Sequence, residues 1–225
     1  MSYITRGLKK YTQKETYKHY FQTLRYALYV IFHPVDGFWD LIHAKRGSYA
    51  AANTIVILTL LTHIWALHYS SFLVNDVNWE KVNIFIEIAT ILLPLSVFCL
   101  CNWGVTTLFD GKGTLGNIYM GTAYALTPYP LLQIPCIIAS NFVTIDEVAF
   151  YDVCVVISLL WCAMLIVMAM MMIHQYSFKK TFLFMIITIF GMLVFIFIVL
   201  LFFSMISQGI SYFISLGREV VFRLN

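Results

Sequence analysis

Few side chains in this chain have the type and spacing to do chemistry. His63, His68 and Glu87 lie toward the ends of two apolar stretches. Two imidazoles and a carboxylate can hold a divalent metal, and a carboxylate inside a membrane is costly enough to be worth explaining. Their spacing matches no ligand motif, so the simpler reading is that Glu87 pairs, protonates or reaches the outer headgroup layer. A second acid–imidazole set, Asp36, Asp40 and His43, falls in HPVDGFWDLIHAKRGS (His33–Ser48). General acid–base work needs a further positioned group, and no other cytoplasmic segment supplies one. The glycine turn FDGKGTLGN (Phe109–Asn117) lacks the spacing of a phosphate-binding P-loop, and G-x-S-x-G and H-E-x-x-H are absent. Cys99, Cys101, Cys136, Cys154 and Cys162 are odd in number and sit in apolar stretches, which suits small buried hydrophobes rather than disulfides or metal ligands. Met164, Met168, Met170, Met171 and Met172 read as adaptable packing. No catalytic residue, metal or cofactor is assigned, and an enzyme is not expected.

The elements that would position these groups follow from composition. Of 225 residues, 61% are hydrophobic and 11% charged, and the mean hydropathy is +0.83. A soluble domain carries about 25% charged residues, so this chain cannot cover a soluble surface. Five apolar stretches are long enough to cross a bilayer: Ala50–Tyr69, Ile84–Trp103, Ile118–Ser140, Tyr151–Ile173 and Phe182–Ser204. The expected fold is all-α: a polytopic membrane protein of five transmembrane helices preceded by amphipathic cytoplasmic helices. No cleavable signal peptide is read in the first 48 residues.

Thr12 to Glu15 has the pattern of a capping box, and Tyr17, Tyr20, Phe21, Leu24, Ala27, Leu28 and Ile31 follow at helical spacing. His33-Pro34 ends that helix and Pro34 starts another. In the second helix Val35, Phe38, Trp39 and Ile42 share a face, and Lys45 and Arg46 follow it. Pro34, Phe38, Trp39, Ile42, Lys45 and Arg46 therefore form the expected membrane-interface set. The alternative is that this face packs on the bundle. In the third stretch, YALTPYPLLQIP brings Pro128, Pro130 and Pro135 together, and Pro94 adds a kink to the second. Asn102, Asn117, Thr122 and Gln133 can hydrogen-bond between helices.

Lys and Arg placement sets orientation. With the N-terminus inside, eleven of the fourteen fall on the inner side and three on the outer, the latter including Lys81. Five spans then carry the C-terminus outside. The net charge of +3 reflects this topology, and no nucleic-acid partner is expected.

Three segments together resemble a known family: HPVDGFWDLIHAKRGS, then LFDGKGTLGNIYMGTAYALTPYPL, then Trp161 followed by HQYSFKK (His174–Lys180). They are similar to the Yip1 domain, in its short bacterial branch, over about residues 30–215. Gly111, Lys112, Gly113, Tyr124, Trp161, His174 and Ser177 carry the likeness. The resemblance implies five spans with a cytoplasmic N-terminus, and no catalytic residues. Eukaryotic members bind Rab-type GTPases and carry an Asp-Leu-Tyr-Gly-Pro motif that this sequence lacks. Some bacterial relatives accompany transport systems, including ABC importers.

The reading as a whole is a non-enzymatic protein of a bacterial cytoplasmic membrane. Residues 1–48 form its cytoplasmic interfacial helices, 49–215 the transmembrane domain and 216–225 an extracytoplasmic tail. Its partners are the lipid bilayer and another membrane protein, such as the permease of an ABC-type solute importer; a homo-oligomer is also compatible. Two alternatives stand beside this: a small carrier or channel using the broken third span with Glu87 and Asn102, and a lipid-binding, membrane-shaping protein.

Overall fold

The computed structural model describes residues 2–71, 82–144 and 147–224, with side chains at all of these except 2–16, 217 and 220–224. Regular structure among the described residues is helical, in eight helices: α1 (Ser2–Phe32), α2 (Pro34–His43), α3 (Tyr49–Tyr69), α4 (Ile84–Leu108), α5 (Leu115–Ala125), α6 (Pro128–Ser140), α7 (Val148–His174) and α8 (Phe178–Leu224). Lys81 and Asp146, and the side chains of Thr12 and Glu15, lie outside the described residues.

The boundaries have local causes. His33 sits at φ −128°, ψ 67°, because the ring of Pro34 disfavours helical geometry in the residue before it. Pro34 then opens α2, where a missing N–H costs nothing. Ser48 caps α3 by accepting from Ala51 N–H at 3.1 Å, Asn83 caps α4 through Phe85 N–H at 3.0 Å, and Thr114 caps α5 through Asn117 N–H at 3.3 Å. The expected cap at Thr12 is corrected: α1 already runs from Ser2, since residues 2–11 contain only Gly7 against helix, a cost of about 1 kcal/mol.

The expectation of five transmembrane helices is also corrected. Four helices among the described residues are long and apolar enough to cross a membrane: α3, α4, α7 and the Phe178–Leu216 part of α8. The third expected span, Ile118–Ser140, is two helices of 11 and 13 residues. The chain leaves the helix at Leu126-Thr127, where Pro128 and Pro130 each remove a backbone donor and crowd the preceding turn. A C-terminus placed outside by counting five spans loses its basis with the count. Residues 216–224, read as a separate tail, continue α8.

One end of the bundle gathers α2, the α4–α5 turn and the α7–α8 turn. There Lys112 Nζ donates to Gln175 Oε1 at 2.7 Å, and Tyr176 Oη donates to the Phe109 carbonyl at 2.8 Å. At the other end Ser71 N–H donates to Ser140 Oγ at 3.2 Å, and Asn141 Nδ2 to the Tyr69 carbonyl at 3.1 Å. One core joins α1 and α2 to the apolar helices: Val30 of α1, Phe38 and Leu41 of α2, Ile55 of α3, Ile118 and Tyr124 of α5, and Leu165 and Ala169 of α7 are all buried. Burying a side chain such as Phe38 or Leu41 contributes about 1.5–3 kcal/mol.

Candidate functional site

Gly111, Lys112, Gly113 and His174, four of the resemblance-bearing residues, meet at the end that holds α2, while Tyr124 and Trp161 lie further along α5 and α7. His174, the last residue of α7, is 2% exposed. Asn102 Nδ2 donates to Thr188 Oγ1 at 3.2 Å, which leaves Asn102 Oδ1 to accept. His174 Nε2 lies 3.1 Å from that oxygen, and His174 Nδ1 accepts from Gly113 N–H at 3.3 Å. The network assigns the proton to Nε2. Both ring nitrogens are engaged, so the imidazole ties α4, α7, α8 and the glycine turn together and has no lone pair left for proton transfer. The turn must be glycine to come this close. A Cβ on Gly111 would lie 2.8 Å from the Thr106 carbonyl and 2.9 Å from His174 Nδ1, and one on Gly113 would lie 2.5 Å from Ile173 Cγ2.

Around this knot runs a surface chain. Gln175 stands at φ 58°, a left-handed conformation that costs a non-glycine residue about 1 kcal/mol or more. That geometry lets its amide touch Lys112 on one side and His43 Nε2, at 3.1 Å, on the other. Gln175 was not among the residues singled out from sequence, although it lies inside HQYSFKK; its backbone angle is the signal, and sequence does not display it. Ser177 is exposed and uses its carbonyl to accept from Thr181 N–H at 2.9 Å.

The N-terminal helices are bound to the same bundle. Tyr124, fully buried, donates to the Thr23 carbonyl at 3.1 Å and accepts from Ser48 N–H at 3.4 Å. Thr23 and Ser48 hydroxyls meet at 3.1 Å. Tyr26 Oη donates to the Gly37 carbonyl at 3.1 Å; burial, and then the Asp40 carboxylate, push its phenol up to about 12. Within the expected interface set the structure separates two faces. Phe38 is buried, Pro34 and Ile42 are half-buried, and Trp39 is 43% exposed and stacked on His43 with centroids 3.8 Å apart. Lys45 is exposed, and Arg46 pairs with Asp40 at 3.3 Å.

The intramembrane polar residues form a second group at the far end. His63 Nε2 and Glu87 Oε2 lie 3.1 Å apart, and Tyr129 Oη is 3.5 Å from His63 Nδ1. This row joins α3, α4 and α6. Glu87→Gln and His63→Ala in a double-mutant cycle are expected to couple by about 1 kcal/mol in detergent unfolding; independent, additive losses would show the pair to be incidental. Among the described residues no group of three His, Cys, Asp or Glu could hold a metal. Pro128 and Pro130 are buried, Pro135 is exposed, and Gln133 Nε2 beside them donates to Ser158 Oγ at 3.0 Å. Trp161 is half-buried, and its Nε1 finds no acceptor. Asn102 belongs to the His174 knot and does not join Glu87.

Polar side chains used to fasten helices to one another, inside an apolar helical bundle, define a multi-pass integral membrane protein. Residues 28–214 match the Yip1 domain, and the chain belongs to the Yip1 family. It is a non-catalytic, all-α membrane protein. No curated protein and no solved structure matches it.

Proposed function

We propose that this chain is an accessory or scaffold subunit of the short bacterial branch of the family, in a cytoplasmic membrane with its basic N-terminal helices inside. It binds laterally to another membrane protein, such as the permease of an ABC-type solute importer. The observation that carries the reading is the second half of α8. Every residue from Leu200 to Leu216 is exposed, and only 6% of the most apolar window of this helix is buried against the rest of the chain, compared with 33% in α3. Exposure to lipid alone explains nothing, because lipid tails are as apolar as leucine. This segment, however, carries Ser207, Ser211 and Ser215 at four-residue spacing, the small-residue pattern that lets transmembrane helices approach closely. Gln208 Nε2 has no partner nearer than Ser204 Oγ on its own helix, at 3.2 Å. Gln208 and Ser215 bond within α8 itself, and a neighbouring helix offers the remaining hydrogen-bonding capacity of this row partners that hydrocarbon does not.

The test is affinity purification of the full chain from native membranes in mild detergent, with mass spectrometry of what accompanies it. Stoichiometric permease subunits are expected, and they should be lost when Ser207, Ser211 and Ser215 are all changed to Leu. Recovery of the chain alone, as a monomer or as a homo-oligomer, overturns the reading.

A further inference from the structure

A groove of about 410 Å³ opens between α1, α3 and α6. Its size falls within the range of small-ligand sites. Phe21 and Leu28 of α1, Leu58 of α3 and Leu131 of α6 form its walls, and Arg25 is the one charged residue that lines it. The two threonines in the lining offer no free hydroxyl. Thr54 Oγ1 donates to the Ala50 carbonyl at 2.8 Å and meets Tyr20 Oη at 2.7 Å. Thr127 Oγ1 donates to the Tyr124 carbonyl at 2.7 Å. The groove thus presents methyl groups along its length and a guanidinium at its rim.

That chemistry selects among occupants. An extended peptide would bury backbone N–H and C=O groups against walls that cannot bond them, at a cost of kilocalories per group. A hydrocarbon chain brings no polar group and fits an elongated apolar slot. Arg25 makes no ion pair among the described residues and is exposed. Lys18, seven residues earlier on the same helix face, is exposed as well. Residues 17–32 contain no Asp or Glu, so nothing on this part of α1 would attract the ammonium of a zwitterionic headgroup.

We propose that the groove binds one acyl chain of an anionic phospholipid, with the lipid phosphate against Arg25 and within reach of Lys18. Thr23, Tyr20 and Tyr124 hold α1 over α3 and α5, so the lipid completes a surface that the chain has already assembled. The site lies away from α8, and its occupancy does not depend on the scaffold reading.

Native mass spectrometry of the full chain in mild detergent tests this, with dioleoyl phosphatidylglycerol or dioleoyl phosphatidylcholine added. One phosphatidylglycerol retained per chain is expected, with phosphatidylcholine lost at the same concentration. Arg25→Gln, at an exposed position, should weaken retention about fivefold. Leu131→Trp, which fills the groove from a half-exposed wall, should abolish it while α1 remains protected from protease. Equal retention of the two lipids overturns the proposal. So do retention indifferent to both variants, displacement by inorganic phosphate, and a protein dimer in place of bound lipid.

Discussion

A His174→Ala chain is expected to lose about 3–5 kcal/mol of stability, read as the unfolding free energy of the full chain in detergent micelles. The ring is buried among four elements, so its removal leaves a cavity where the glycine turn now rests. The loss also strands two partners: buried Asn102 Oδ1 loses its donor, and half-buried Gly113 N–H loses its acceptor. The Asn102 oxygen adds most to the cavity cost, because it is buried away from water. Gly113→Ala attacks the same contact from the other side. Its Cβ would lie 2.7 Å from His174 Cε1, and overpacking of that kind costs about 1–3 kcal/mol. A His174→Ala loss below about 1 kcal/mol would mean that the turn is held by its own backbone and the knot is incidental.

The second large effect is expected at Tyr124. Tyr124→Ala removes a fully buried ring at a cost of about 3–5 kcal/mol, and it also releases α1, because the phenol bridges Thr23 and Ser48. Trypsin should then cut after Arg25 under conditions that leave the parent chain whole. Tyr124→Phe keeps the ring and removes only the hydroxyl, so it should cost about 1 kcal/mol and leave α1 largely protected. The two variants separate packing from hydrogen bonding. Equal cleavage in the alanine variant and the parent would show that α1 is held by its apolar face alone.

Much of this architecture is legible in the sequence, and the parts that are not share physical causes. His33-Pro34 announces its break because proline acts on its immediate neighbour. Pro128 acts by the same rule, yet within a continuous apolar run it reads as a kink in one span; Pro130 follows two residues later, and the chain breaks into α5 and α6. Ser48 is a cap, but KRGSYAAAN offers several starting points for a helix. Phe38 and Trp39 are adjacent on a ten-residue helix, and periodicity cannot say which faces protein; packing against α7 buries the first and leaves the second exposed. The clustering of Gly111, Gly113 and His174 spans more than sixty positions, a separation that local pattern does not bridge. Glu87 and His63 are visible as costly residues, whereas Tyr129, which completes their row, is hidden by its ordinary type.

The length of α8 has a mechanical consequence. Phe178–Leu216 is a mostly apolar helix of 39 residues, about 58 Å long, against a hydrocarbon layer of about 30 Å. A straight rod of that length immersed entirely in lipid would have to lean by roughly 60°. The first turns of α8 are not free to lean. Phe184 packs on Phe109 with ring centroids 5.0 Å apart, and Thr188 is bonded to Asn102 of α4, a helix of 25 residues that does fit the layer. The mismatch therefore accumulates at the far end, where the helix outruns the bilayer that suits its neighbour. Bilayer thickness then governs how much of that end stays wet. A thicker membrane sheathes it and a thinner one bares it, so the same chain would partition toward thick membranes and present the end of α8 differently in thin ones.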